Sequence, residues 1–282
     1  MPRIWLITGC DSGMGYRIAE TALENGDRVA ATVLSKELQG PLKERFPDRC
    51  RYYHLDVRDS KMVSEVVSRI HGDFGSIDVL VNNAGYGLLG SLEETSEDEY
   101  RRLFDVNVFG LAEITKAVLP IMRKQRSGRI INTASQAGFV GVMGLAFYSA
   151  SKFAVEGLSE ALAREVAPFG IHVSIIEPGS FRTEFAGNSL ALSAKVIEDY
   201  ASTAGVIRAG LTGKHGKQPN DPGKLGKVVW KLSTAEKPPM HLAIGEDCLL
   251  EILGKLDAVR AQAEEWRDVS CSTYFDEIKA SA

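Results

Sequence analysis

Short apolar runs alternate along the chain with amphipathic stretches of helix length. Ile4 to Ile7, Arg28 to Val33, Arg51 to Val57, Ile77 to Val81, Arg129 to Asn132 and His172 to Ile176 are brief and rich in β-branched residues. Runs of this kind fit strands buried on both faces, and the intervening helical patterns predict βαβ units and a parallel sheet with helices on either side. A later run, His241 to Ile244, supplies a candidate seventh strand.

After the first run, Met14, Ile18, Ala22 and Leu23 follow a helical period that Asn25-Gly26 brings to a stop. Ser60 precedes the apolar series Val63, Val66, Val67 and Ile70, and Ser96 with Glu99 has the form of a capping box opening a long helix. A helix from about Gly144 to Ala167 carries Ala146, Phe147, Phe153, Ala154, Leu158 and Leu162. That is more apolar surface than one sheet face needs, which points to a subunit contact in a homodimer or homotetramer. Around 184–223 the strand pattern lapses into Ala, Ser, Gly and Lys; a substrate-binding lid and a surface insertion both account for this. A C-terminal helix around 247–266, with Leu249, Leu250, Leu253, Leu256 and Val259, is expected to cover a pocket or extend the subunit contact. No linker divides the chain, so one domain over 1–282 is expected.

At 282 residues, 44% hydrophobic and 25% charged, the chain is of ordinary globular composition, which excludes disordered and fibrous classes. A net charge of −4 gives no electrostatic reason for nucleic-acid or anionic-membrane binding and turns attention to small molecules. Cys10, Cys50, Cys248 and Cys271 are widely spaced and read as reduced thiols. The first apolar run is too short for a secretory segment or a membrane span, so a cytoplasmic location is expected. His54, His71, His172, His215 and His241 have no partners at metal-ligand spacing, and no metal is expected. Glu93, Glu94, Glu97, Asp98 and Glu99 gather at a helix start, where the dipole alone accounts for them.

Thr8-Gly9-Cys10-Asp11-Ser12-Gly13-Met14-Gly15 joins the first strand directly to the first helix. Glycines let backbone approach a pyrophosphate, and free N–H groups at a helix N-terminus stabilise its charge; the plain alternative is a structural turn. The spacing G-x-x-x-G-x-G differs from the usual dinucleotide fingerprint. Neutral Leu34 stands where an acidic partner for the ribose 2′-hydroxyl is usual, while Lys36 is equally readable as a phosphate contact or a solvated helix-start lysine. Asp11 would repel a 2′-phosphate and accept a hydroxyl, so the balance leans to NAD over NADP.

Tyr148 and Lys152 are one helical turn apart, about 400° of rotation and about 6 Å of rise. A cation held near a phenol favours phenolate and makes tyrosine a useful base, although this pair alone occurs often by chance. Asn82-Asn83-Ala84-Gly85, Ser135 and Pro178-Gly179 end successive predicted strands, and Asn107 lies in Phe104 to Gly110. In a parallel sheet, strand carboxyl ends converge on one crevice, which brings these polar groups together.

From Ile4 to Thr183 this ordered set resembles the classical short-chain dehydrogenase/reductase family. The resemblance implies a doubly wound, seven-stranded parallel sheet in three α/β/α layers, a Rossmann fold. It also implies a nicotinamide cofactor, NAD or NADP, with hydride exchange between an alcohol and a ketone or aldehyde. Tyr148 would be the general acid/base, Ser135 would hold the substrate oxygen, and Lys152 would bind the nicotinamide ribose and lower the phenol's pKa. Asn107 would hold a water in the proton relay. Gly9, Asp11, Ser12, Gly13, Met14 and Gly15 would face the pyrophosphate, Asp56 and Val57 the adenine, and Asn83, Ala84 and Gly85 the adenosine ribose. Pro178, Gly179, Phe181 and Thr183 would surround the carboxamide, with Phe181 standing where a small aliphatic residue is usual. Taken by itself, Asp56 reads equally well as a turn carboxylate. The Cys-Asp-Ser filling of the glycine loop is similar to that of the retinol and hydroxysteroid branch and favours a bulky apolar alcohol or carbonyl substrate. The rival reading is a non-catalytic dinucleotide-sensing protein on the same fold, which would be expected to lack the Tyr148–Lys152 pair.

Overall fold

The computed structural model describes residues 2–36, 38–187, 189–213 and 216–275; the predicted candidate His215 lies outside them. Seven strands form the main sheet: β1 Ile4–Ile7, β2 Arg28–Val33, β3 Cys50–His54, β4 Val79–Asn82, β5 Gly128–Thr133, β6 Ile171–Pro178 and β7 His241–Ile244. Their order is β3-β2-β1-β4-β5-β6-β7, all parallel, as expected for the doubly wound Rossmann arrangement. Strand order reverses between β1 and β4, and a crevice opens beyond their carboxyl ends.

Helices α1 Gly13–Glu24, α2 Ser60–Phe74, α3 Glu97–Phe104, α4 Leu111–Gln125, α5 Ala146–Val166, α6 Ala204–Gly213, α7 Pro222–Thr234 and α8 Glu246–Glu265 complete the main framework. On one sheet face, Trp5, Ile7, Val29 and Ala31 pack against Ile18 and Leu23 of α1 and Val229 and Leu232 of α7. On the other, Leu6, Ala30, Leu80 and Ile130 meet Val63 and Ile70 of α2 and Ile114 and Val118 of α4. Each such fully buried side chain is worth about 1.5–3 kcal/mol, so strands with no polar face are the stable solution here. Helices α1 and α7 come so close that a Cβ at Gly226 would stand 2.6 Å from the Arg17 carbonyl oxygen.

The predicted strand Arg51 to Val57 ends early, at His54, although Leu55 N–H still reaches Val33 O at 2.9 Å. The cap of α2 is Asp59 rather than Ser60: its carboxylate accepts the Met62 N–H at 3.0 Å. The capping box at Ser96 forms, but the long helix it opens is interrupted by a π-helical turn over Asp105–Gly110. The segment predicted around 184–223 is partly ordered by pairing. Leu190–Leu192 adds in parallel to Gly87–Leu89, and α6 follows. Its predicted end overshoots, because Asp221 caps α7 and Pro222 starts it. Helix α8 lies close to the predicted boundaries, with Leu250 62% exposed. Among the described residues, no helix is long and apolar enough to cross a membrane.

Candidate active site

The glycine loop leaves β1 with Gly9 at φ +70° and Gly13 at φ +60°, a region that disfavours side chains. A Cβ at Gly15 would sit 2.2 Å from Gly9 O, so this turn admits nothing larger. Asn83 donates its side-chain amide to Thr8 O at 3.0 Å and Gly9 O at 3.1 Å, while Thr8 Oγ1 accepts from Asn83 N and Ala84 N, each at 3.0 Å. Asn83, predicted at the adenosine ribose, thus holds the loop from behind as well. The first turn of α1 has no acidic residue, which leaves its N–H groups suited to an anion.

A cavity of about 610 Å³ runs along this loop. Gly9, Asp11, Ser12, Gly13 and Met14 line it together with Asp56, Val57, Asn83, Ala84, Gly85 and Thr183. An elongated crevice walled by a glycine cradle fits a dinucleotide. Asp11 Oδ2 accepts the Leu34 N–H at 3.4 Å, placing a carboxylate at the tip of β2. The Arg58 guanidinium, hydrogen-bonded to both carboxylate oxygens of Asp56, holds that carboxyl below its usual range. Lys36 is exposed and does not line the cavity.

Tyr148, Lys152, Ser135 and Asn107 converge beyond Gly85. Helix α5 presents Tyr148 and Lys152 on one face, both buried. Ser135 caps the short helix Gln136–Phe139 by accepting the Ala137 N–H at 3.1 Å, and its side chain acts on Tyr148 to favour the phenolate. The π-helical turn holds Asn107, whose Oδ1 accepts Tyr86 N–H at 3.1 Å and whose amide donates to Tyr86 O at 3.0 Å and Ser151 Oγ at 3.2 Å. Lys152 donates to Thr133 O at 2.8 Å, and Nζ lies 5.9 Å from the Tyr148 ring centroid.

Burial dominates the titration of both members of this pair. Burial pushes Tyr148 up to about 12, opposed by the Ser135 side chain, and burial pushes Lys152 down to about 8, opposed by Glu156. The physical reason is dehydration: Leu88, Leu145 and Phe185 surround the phenol, and the ammonium is aimed at a carbonyl. The Phe181 side chain is buried in the core cluster that holds Ile18 and Leu225 and, like Tyr148, Lys152, Ser135 and Asn107, is not among the residues that line the cavity. Pro178 and Gly179 do not line the cavity either; Gly179 packs so closely on Asp247 that a Cβ would meet Oδ1 at 2.4 Å.

The acidic cluster does more than complement a helix dipole. Glu94, 1% exposed, accepts Ser91 N–H at 2.7 Å, Ile197 N–H at 3.0 Å and the Arg208 guanidinium at 3.1 Å. Glu99 accepts Ala194 N–H at 2.9 Å, and Tyr200 hydrogen-bonds Glu93. These contacts tie the segment after Thr183 to the entrance of the site. Their partners lie about a hundred positions apart in sequence, beyond the reach of any local pattern.

Residues 3–192 match the family model for the short chain dehydrogenases. The chain is 38% identical to oxidoreductase BOA17 of Botryotinia fuckeliana across 97% of this chain and all of that one. It is 39% identical to the 3-ketodihydrosphingosine reductase of Bacteroides thetaiotaomicron, covering 86% of this chain and 88% of the relative. A crystal structure of a short-chain dehydrogenase from Streptomyces avermitilis superposes with a TM-score of 0.92 at 42% identity, over 98% of this chain and 100% of that one. ElxO with NADP bound superposes at 0.72 with 28% identity, over 88% and 99% respectively. The chain therefore belongs to the short-chain dehydrogenase family. It is an NAD(P)-dependent oxidoreductase acting on CH–OH groups of small molecules, and nothing in these relatives favours the non-catalytic alternative.

Proposed function

We propose that the chain interconverts a bulky apolar alcohol and its ketone, with Tyr148 as general acid/base. The observation that carries this is the buried Tyr148 phenol, which the neighbouring Ser135 side chain draws toward phenolate, inside an apolar shell that includes Leu88, Leu145, Val142 and Phe185. A bound nicotinamide supplies or accepts the hydride. The chain's own part is to meet the charge that develops on the substrate oxygen. Tyr148 gives that oxygen a proton in reduction or takes one in oxidation, and Ser135 holds it in place. Lys152 would orient the cofactor ribose, and Asn107, fixed by hydrogen bonds to Tyr86 N and O, would hold a water in the proton relay. Thr183, which lines the cavity, would meet the carboxamide. An apolar substrate suits this site because a polar one would leave its own groups unpaired in the shell. The sphingoid ketone in the Bacteroides relative's name belongs to the same chemical class.

The segment 184–213 is proposed as the lid over that substrate, within a single domain spanning 1–282. Exposed Phe109 and Phe153 support a contact between copies of the chain, and four free cysteines support a reducing, cytoplasmic setting. Tyr148→Phe tests the catalytic reading. Turnover should fall at least ~100-fold with NADH affinity nearly unchanged. Retained turnover would remove Tyr148 from the mechanism.

A further inference from the structure

Helix α5 covers the sheet face on which β6 and β7 end and begin. Ile175 of β6 pairs with His241 of β7, so Glu177 and His241 project from the same face of the sheet, toward the helix that carries Glu156. Three donors far apart in sequence thus meet, with Glu156, Glu177 and His241 offering ligand atoms all within 4.8 Å of one another. His241 Nδ1 lies 3.0 Å from Glu177 Oε1 and 3.4 Å from Glu156 Oε2. The side chains of Glu177 and Glu156 are 1% and 8% exposed.

These carboxylates are poorly satisfied. Both oxygens of Glu156 and Oε2 of Glu177 are buried without a hydrogen-bond partner. Among the described residues, the ion-pair partner of both is His241. Such a pocket calls for added positive charge.

We propose that Glu156, Glu177 and His241 form a binding site for a divalent transition metal, zinc being the ion the donor set fits best. Zinc–ligand distances of about 2.0–2.1 Å place tetrahedral donors about 3.3 Å apart, close to the separations His241 Nδ1 already makes with the two carboxylates. The imidazole donor selects a transition metal over magnesium or calcium, which take oxygen ligands. On the other side of the ring, His241 Nε2 stands 3.5 Å from Glu160 Oε1, where an outer carboxylate fixes the tautomer of a metal-bound histidine. The His241 side chain is 35% exposed, which gives the ion a path in and leaves its fourth position to water. Glu156, Glu177 and His241 do not line the dinucleotide cavity, although Glu156 acts on Lys152 one turn earlier on α5, and the site does not depend on the proposed reaction.

The test uses the full chain, stripped with chelator, dialysed against zinc chloride and analysed for metal. One equivalent should remain bound. The melting temperature should rise by about 5 °C at a hundredfold excess over Kd. Glu160→Ala, which removes only the outer carboxylate, should weaken zinc about 10–100-fold, and His241→Ala should remove the bound equivalent. Cobalt bound to the unaltered chain should give a ligand-field spectrum without a thiolate charge-transfer band, which separates this site from the free cysteines. Protein that emerges from dialysis without zinc, an equivalent that persists in His241→Ala, or a thiolate band with cobalt would each overturn the site.

Discussion

The ring of Phe185 lies against that of Tyr148, centroids 5.5 Å apart and planes tilted by 52°. Thr183 Oγ1 accepts the Phe185 N–H at 3.2 Å, which fixes the turn that carries the ring. A Cβ at Gly87 would meet Phe185 Cζ at 2.8 Å, so the glycine makes room for this contact. Access to the phenol is therefore governed by a side chain just beyond β6, in the segment proposed as a lid.

Phe185→Ala should rehydrate Tyr148. Burial is what raises the phenol to about 12, so uncovering it lowers the value toward the ordinary one of about 10. The rise of kcat/KM with pH for alcohol oxidation, the acid limb of the profile, should move to lower pH by about one unit or more. A profile that does not move would mean that the ring does not control the phenol's environment.

Lys152→Met should separate stability from activity. The folded-state pKa, about 8, lies below the unfolded value of 10.5, so burying the ammonium costs stability below pH 8, and that cost fades as pH rises to 10.5. The shift corresponds to on the order of 3 kcal/mol before the hydrogen bond to Thr133 O is set against it. The variant should melt higher than the unaltered chain at pH 7, with the gap closing by pH 10. It should also bind NADH more weakly and turn over more slowly. A gap independent of pH would show that the lysine is not buried as a charge.

Glu94 should link the lid to acid. Backbone N–H groups of Ile197 and Ser91 hold its carboxyl down to about 2, against an ordinary value of 4.5. A depressed carboxyl pKa gives stability that is complete above the unfolded value and is lost as pH falls toward 2. Glu94→Gln loses the charge-assisted bonds, worth about 1.5–3 kcal/mol each, and should make the chain between Ser193 and Arg208 more sensitive to protease at pH 7. The unaltered chain should acquire the same sensitivity between pH 4 and pH 2. Equal cleavage of both proteins at pH 7 would deny Glu94 this role.

What could be read from the chain alone follows from how local each signal is. The glycine loop, α1 and the Tyr148–Lys152 face depend on neighbours within a turn or two, and their positions in the fold match the periodicity. Asn107 was visible as a residue but its π-helical turn was not, because the apolar pattern runs on through Phe104 and Val108 without a break. Phe181 could not be oriented in advance, since an aromatic side chain past a strand end packs equally well toward the core or the crevice. Glu94 and the Glu156–Glu177–His241 cluster were hidden for another reason: their partners come together only when α5, β6, β7 and the lid segment pack.

Cofactor preference rests on the tip of β2. Asp11 Oδ2 accepts the Leu34 N–H at 3.4 Å, and Leu34 itself is 65% exposed and neutral, so the cavity wall at this point carries a carboxylate. A hydroxyl of a bound ribose could donate to that oxygen, whereas a phosphate dianion beside it would be repelled. NADH should therefore bind more tightly than NADPH. Asp11→Ser keeps a small polar acceptor and removes the charge, and should raise the NADPH-to-NADH affinity ratio about 10-fold or more in fluorescence titrations. The shift should shrink as salt is added, because the site is open enough for screening. Tighter binding of NADPH by the unaltered chain would show that Arg58 or another cation outweighs Asp11 at this position.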